Sequence, residues 1–295
     1  MTTPYTPTLQ AFYAPARPAA QIWRTVAGLG LIVVLYWSAL IGALHLFRWI
    51  AGEAAYLRLA ITLAQAATPG GVVLMLATFA PLALAVALVT RTLHDRAVAT
   101  LFGPGAARNA WRSAAPLIGL SLAILPLALL DPNTAQSTPF GTLLAWAPLA
   151  LPLLLVQITA EEMVFRGYLL QQMAARWRSP WLWMVAPSVL FGALHFDPGT
   201  YGPMAFWPVL WATVFGCLAA DLTARTGNLG AAIGLHFANN LSAIFLLGLY
   251  GELDGLSLFT VVIDPRDPVA LAPYMATDAV SMLVSWLALR LILRV

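Results

Sequence analysis

Apolar runs almost free of charge recur from Val26 to Leu293, and they restrict the possible folds more than any other feature of the chain. Charged residues make up 9% of the 295, against roughly 25% in an ordinary soluble domain. A fold in water could not cover itself with so few, and the mean hydropathy of +0.82 agrees. The pattern excludes a water-soluble globular enzyme, a disordered chain, a disulfide scaffold and a nucleic-acid binder. In hydrocarbon every backbone polar group must be paired internally, so only helices and closed barrels cross a bilayer. A barrel would show alternating strands of about ten residues, whereas these runs are continuous. The expectation is an all-α polytopic membrane protein.

A hydrocarbon core of about 30 Å takes about 20 helical residues. On that scale the sequence predicts about eight transmembrane helices: Val26–Phe47, Gly70–Val89, Ala114–Leu130, Leu143–Ala174, Trp181–Phe196, Met204–Ala220, Leu229–Leu249 and Pro273–Leu293. The fourth is too long for one straight crossing. Residues 26–295 read as a single transmembrane domain, and residues 1–25 as a polar tail. That tail carries Pro4, Pro7, Pro15 and Pro18, and reads as a disordered or interfacial lead-in with aromatic anchors at Phe12, Tyr13 and Trp23. The run after it is too long for a signal-peptide core of about 7–15 residues. Cys217 sits in an apolar span and reads as a packed small residue. His45 and His94 read as interfacial.

The basic residues are 15 arginines and no lysine. With the N-terminus inside, the cytoplasmic segments hold Arg17 and Arg24, then Arg91, Arg96, Arg108 and Arg112, then Arg176 and Arg178, then Arg225, then Arg290 and Arg294. The outer loops hold Arg48, Arg58 and Arg266. This bias predicts both termini on the cytoplasmic side of what reads as a bacterial cytoplasmic membrane.

A few polar residues lie where the bilayer would be. Glu161, Glu162 and Arg166 fall inside the fourth predicted span, His195 at the end of the fifth, and His236, Asn239 and Asn240 inside the seventh. A charged group at a helix centre costs about 2.5–3.5 kcal/mol, so three cost about 8–10 kcal/mol, close to the whole stability of a typical domain. Such a cluster points to function rather than to a structural clamp. Glu162 and Arg166 are four residues apart on one helix face and form a natural ion pair. Glu161 lies about 100° round the helix and keeps its carboxylate for chemistry. His236 and Asn240 share a face by the same spacing, as do Phe191 and His195. Counting from the turn at Ser179–Pro180, Glu161 and His195 both sit about 20 Å deep, and His236 lies about 10–15 Å in from the same side. The three can meet, in a water-filled cavity expected to open to the cytoplasm. Gly230 and Gly234 form a GxxxG pattern that lets two helices approach closely.

Glu161-Glu162-Met-Val-Phe-Arg166 reads as EExxxR, Phe191-Gly-Ala-Leu-His195 as FxxxH, and His236-Phe-Ala-Asn-Asn240 as HxxxN. In this order, each on its own apolar span, the motifs resemble the CPBP family of intramembrane proteases. That family comprises the type II CAAX prenyl endopeptidases and the bacteriocin-processing and immunity-associated (ABI) proteins. The resemblance covers about residues 146–248. It implies an eight-helix, glutamate-dependent protease with no required metal or other cofactor, acting on a membrane-associated protein or peptide. By resemblance, Glu161 and His195 activate water, Glu162 and Arg166 support them, and His236 and Asn240 stabilise the oxyanion.

Two further readings stay open on the residues alone. Two histidines and a glutamate suit Zn²⁺ and a metal-activated water. A non-catalytic scaffold, or a proton-coupled transporter, would use the same residues as a binding site or a proton relay. The substrate and the oligomeric state are not encoded in any motif.

Overall fold

The computed structural model describes residues 6–295; the expectation for Pro4 lies outside the described residues. A short helix, α1 (Thr6–Tyr13), leads through a 3₁₀ turn to α2 (Ile22–Ala51) and then α3 (Glu53–Gln65). The bundle continues with α4 (Pro69–Thr92), α5 (Ala106–Ala128), α6 (Phe140–Arg176), α7 (Trp181–Ala193), α8 (Phe206–Thr226), α9 (Gly230–Leu246) and α10 (Pro268–Leu293). Among the described residues, six of these helices are long and apolar enough to cross a membrane: α2, α4, α5, α6, α8 and α10. The chain is thus a polytopic all-α membrane protein. Two of the eight expected crossings, α7 and α9, are shorter apolar helices.

Local chemistry sets the helix limits. Thr68 caps α4, its side chain accepting from the Gly71 amide with Pro69 at the first turn, and Asp267 does the same for α10 with Val269 and Pro268. Both pairs combine an oxygen acceptor with a proline whose missing N–H costs nothing there. Within α4 the regular helix stops at Ala77 and resumes at Ala80, because Pro81 has no N–H to give and crowds the carbonyl four residues back. The fourth predicted span becomes the continuous α6, running well past a single straight crossing. Directly after Glu162 it widens into a π segment, Met163–Leu169, an arrangement common at functional sites.

The chain ends, the α4–α5 loop, the α6–α7 turn and the α8–α9 turn share one end of the bundle, here the terminal face. Arg24 donates to the Leu93 carbonyl, Leu229 to that of Phe102, and Arg112 to that of Ile292, which ties these segments together. At the opposite end, the sheet face, β1 (Thr134–Gln136), β2 (Leu247–Leu249) and β3 (Phe259–Val261) form a small sheet in the order β1-β3-β2. Thr134 pairs antiparallel with Val261, and Leu247 parallel with Phe259. The seventh predicted span ran to Leu249; the helix in fact stops at Leu246 and its last residues enter the sheet.

Two expectations are corrected. The stretch around Phe12 is not a disordered or interfacial lead-in: Leu9, Phe12, Ala16 and Ala19 are buried in the core, Tyr13 is half-buried, and of the three aromatics only Trp23 faces outward. Short apolar spacings in a proline-rich segment suffice to pack one turn at a time. His94 is buried rather than interfacial, its Nε2 2.7 Å from the Tyr168 hydroxyl. The GxxxG does bring helices together: a Cβ on Gly230 or Gly234 would stand 2.1 or 2.5 Å from the carbonyls of Ala106 and Ala110 on α5.

Candidate active site

The two adjacent glutamates have different surroundings. Glu162 is fully buried. Its Oε1 accepts from Arg166 Nη1 at 2.9 Å and from His236 Nδ1 at 2.8 Å. Arg166 is itself 1% exposed, and its guanidinium lies over the Phe191 ring at 4.8 Å. One carboxylate oxygen therefore joins α6 to α9, and a cation–π contact joins α6 to α7.

Glu161 keeps 14% of its side chain exposed. Its Oε1 accepts from Gln157 Nε2 at 2.7 Å, and its Oε2 lies 3.7 Å from His236 Nε2. His236 thus stands between the two carboxylates with one ring nitrogen toward each. With Nδ1–H donated to Glu162, neutral His236 turns a lone pair toward Glu161; a second proton would bridge both acids. The group of Glu161, Glu162, Arg166 and His236 is then neutral overall, and one unit negative without that proton.

Asn240 donates to Gln157 Oε1 at 3.3 Å, and Asn239 donates to Asn240 Oδ1 at 3.1 Å. These amides form a directed chain, Asn239 to Asn240 to Gln157 to Glu161, which fixes the carboxylate's rotation. Gln157 carries no motif, yet it sits four residues before Glu161 on the same face, a spacing that could have revealed it. A second unforeseen neighbour is Tyr36 of α2, hydrogen-bonded to Thr78 and within electrostatic reach of Glu161.

His195 is exposed just past the end of α7. Its Nδ1 lies 2.9 Å from the Phe191 carbonyl. A carbonyl only accepts, so that nitrogen carries the hydrogen and Nε2 keeps its lone pair. The Phe191 ring packs between the two imidazoles, with centroids 4.8 Å from His195 and 6.1 Å from His236. His195 has no ion-pair contact with Glu161. Among the described residues no three His, Cys, Asp or Glu side chains are grouped to hold a metal, since Phe191 keeps His195 away from His236.

Toward the terminal face the cluster is enclosed. Beyond Glu162 in that direction every residue of 162–172 is buried, as is every residue of 227–236. The polar side chains there bond chiefly to one another, although Arg96 Nε and Nη1 and Gln172 Oε1 are buried without a partner. His94 meets the Ala19 carbonyl at 3.1 Å and the Gln172 amide at 3.0 Å. Arg96 donates to Gln171 Oε1 and to Thr100 Oγ1, and Gln171 donates to the Thr100 carbonyl. Burial holds the Arg96 guanidinium below its ordinary value, at about 10. Exposure rises the other way: Asn239 to Ser242 are half-buried, Ala243 is exposed, and residues 193–196 are all exposed.

Fold and site together define a multi-pass membrane protein with paired glutamates, an arginine and a histidine inside its bundle. Residues 139–242 match the family model described as Type II CAAX prenyl endopeptidase Rce1-like, a similarity that supports the family its motifs resemble. The uncharacterized protein YyaK of Bacillus subtilis (strain 168) is 29% identical over 187 residues, which is 59% of this chain and 61% of that protein's length. No solved structure matches the chain significantly.

Proposed function

We propose that the protein is an intramembrane endopeptidase that hydrolyses a peptide bond of a membrane-associated protein or peptide, with Glu161 as the base. The observation that carries this reading is the inequivalence of the glutamates. Glu162 is fully buried with its Oε1 held by Arg166 and His236, whereas Glu161 is oriented by Gln157 and keeps an open side. Water bound at Glu161 gives a proton to the carboxylate as its oxygen attacks the scissile carbonyl. The resulting oxyanion collapses, the C–N bond breaks, and the same proton leaves on the amine. The lone pair on His195 Nε2 is suited to accept from that water. The second amide hydrogen of Asn240 is available to the oxyanion, and one such donor is worth about 3–4 kcal/mol of barrier. Residues 26–295 serve as one transmembrane unit whose core is 146–248, with both termini cytoplasmic on the strength of the arginine bias.

A proteomic comparison of cells carrying wild-type protein or Glu161→Gln tests the reading. Membrane-associated precursors should accumulate in the variant; identical profiles at equal expression would refute it.

A further inference from the structure

We propose that a cleft at the sheet face, separate from the glutamate cluster, is a binding site for a small organic ammonium ion held by Asp254. The site goes beyond the protease reading and does not depend on it. The cleft has a volume of about 550 Å³, within the range of about 300–1,000 Å³ usual for small-ligand sites. It lies where the facing ends of α3 and α4, the start of α6 and the turn after β2 meet, and its lining includes Gln65, Thr68, Ser137, Thr142, Tyr250 and Asp254. Thr68, Ser137, Tyr250 and Asp254 are on irregular backbone. Such backbone does not face lipid within the hydrocarbon layer, so the cleft opens to water or to headgroups rather than among acyl chains.

Asp254 is the charged group of this lining, and it is only 7% exposed. Its Oδ2 accepts from the Gly251 amide at 2.9 Å. Among the described residues its Oδ1 has no hydrogen-bond partner, and no arginine or histidine pairs with it. Arg266, the nearest cation in sequence, donates instead to the carbonyls of Gly199 and Thr200. The neighbouring charge that Asp254 does feel is a like one, Glu252. A carboxylate withdrawn from water without a countercharge is costly, and a cation from outside offsets that cost. The carboxylate is also fixed in place. The Gly255 amide donates to the Ala66 carbonyl at 3.2 Å and the Thr138 amide to the Ser257 carbonyl at 2.9 Å. A Cβ on Gly255 would stand 2.3 Å from the Thr68 backbone, so the turn is clamped onto the α3–α4 connection. Leu253 holds a φ of 56°, a left-handed conformation that a leucine keeps only where its surroundings impose it. A site built in advance loses little freedom on binding.

The lining decides which cation fits. A divalent metal takes several oxygen ligands, usually with more than one carboxylate, and here a single carboxylate lines a space far larger than an ion. One negative charge suits a monovalent cation. The hydroxyls of Ser137 and Thr142 line the same cleft and can accept from further N–H groups, and the Tyr250 ring offers a face to a cation. These features match a primary ammonium group on a short organic frame. A free amine and the amine headgroup of a phospholipid both carry that chemistry.

Thermal melts of the full-length protein in detergent test the site, with ethanolamine as the probe. Saturating ethanolamine should raise the melting temperature by about 2–5 °C over an equal concentration of sodium chloride. Ethylene glycol, the same two-carbon frame without the charge, should leave it unchanged. Asp254→Asn keeps an acceptor for the Gly251 amide and should weaken ethanolamine binding at least about tenfold. Ser137→Trp fills the cleft with Asp254 still in place and should remove the shift as well, which covers the case in which Asp254→Asn fails to fold. Nanodiscs of phosphatidylethanolamine and of phosphatidylglycerol separate the two sources. Loss of the ethanolamine shift in the first alone identifies a lipid headgroup as the occupant, and an equal shift in both identifies a free amine. The absence of any shift in detergent overturns the proposal, as does an equal shift from ethylene glycol or one that survives both substitutions. A larger shift from calcium chloride that Asp254→Asn abolishes overturns it in favour of a metal. None of these outcomes depends on turnover, so the protease reading stands or falls separately with Glu161→Gln.

Discussion

The terminal half of the bundle and the sheet half use polar residues in opposite ways. Toward the terminal face, Glu162, Arg166, His94, Arg96, Gln171 and Gln172 are all buried and bonded across helices. They act as cross-links between the α4–α5 loop, α6 and α9. Toward the sheet face, Glu161, His195 and Asn240 each keep an accessible side. A single peptide bond, between Glu161 and Glu162, separates the two regimes. A carboxylate in hydrocarbon therefore does not announce a reactive site by itself; what counts is whether it is sealed into an ion pair or keeps an open side.

The contrast can be broken most directly at Glu161. Glu161→Gln should cut turnover by about 10²–10⁴-fold, the usual worth of a positioned acid–base group, and leave the thermal melt in detergent unchanged. A large loss of melting temperature in this variant would erase the distinction between the halves. Glu162→Gln should do the converse first: removing one member of a buried pair costs about 3–5 kcal/mol because the other charge is stranded. Replacing Glu162 and Arg166 together by apolar residues should recover much of that stability without activity, and a double variant as unstable as the single one would argue against the pairing. Gln157→Leu sits on the boundary. It should slow turnover about 10–100-fold through lost orientation of Glu161, with KM nearly constant, while Gln157→Glu should not rescue, because it sets a third carboxylate beside the pair. Smallest of all, Tyr168→Phe removes a hydroxyl from the sealed half and should cost about 1–2 kcal/mol with no change in rate. A rate defect there would show that the two halves are coupled.

Much of this contrast was legible before any coordinates. The i, i+4 spacing joined Glu162 to Arg166 and set Glu161 aside, and the three motifs placed the cluster on the right helices. The contacts between helices were not legible. That His236 would give its Nδ1 to Glu162 depends on how α9 leans against α6, which no local pattern encodes. The packing of α1 could not be read either, because the helix is brief and followed by prolines, so its periodicity is too short to distinguish a packed helix from a polar lead. Nor could the sheet, whose strands are three residues each, too short for an alternation to stand out. The lengths of α7 and α9 were overestimated because apolar composition continues past the last helical turn.

Those lengths have a consequence for the lipid. A straight α7 would rise only about 20 Å and α9 about 25 Å, against a hydrocarbon core of about 30 Å. A helix that falls short draws the headgroups down around it at a modest cost per ångström. The bilayer beside α7 should therefore be pinched, and polar headgroups should reach toward the level of His195. A peptide bond would then travel a shorter distance out of water, and pay less desolvation, to reach Glu161 at this point of the perimeter than anywhere along the long helices α2 and α10.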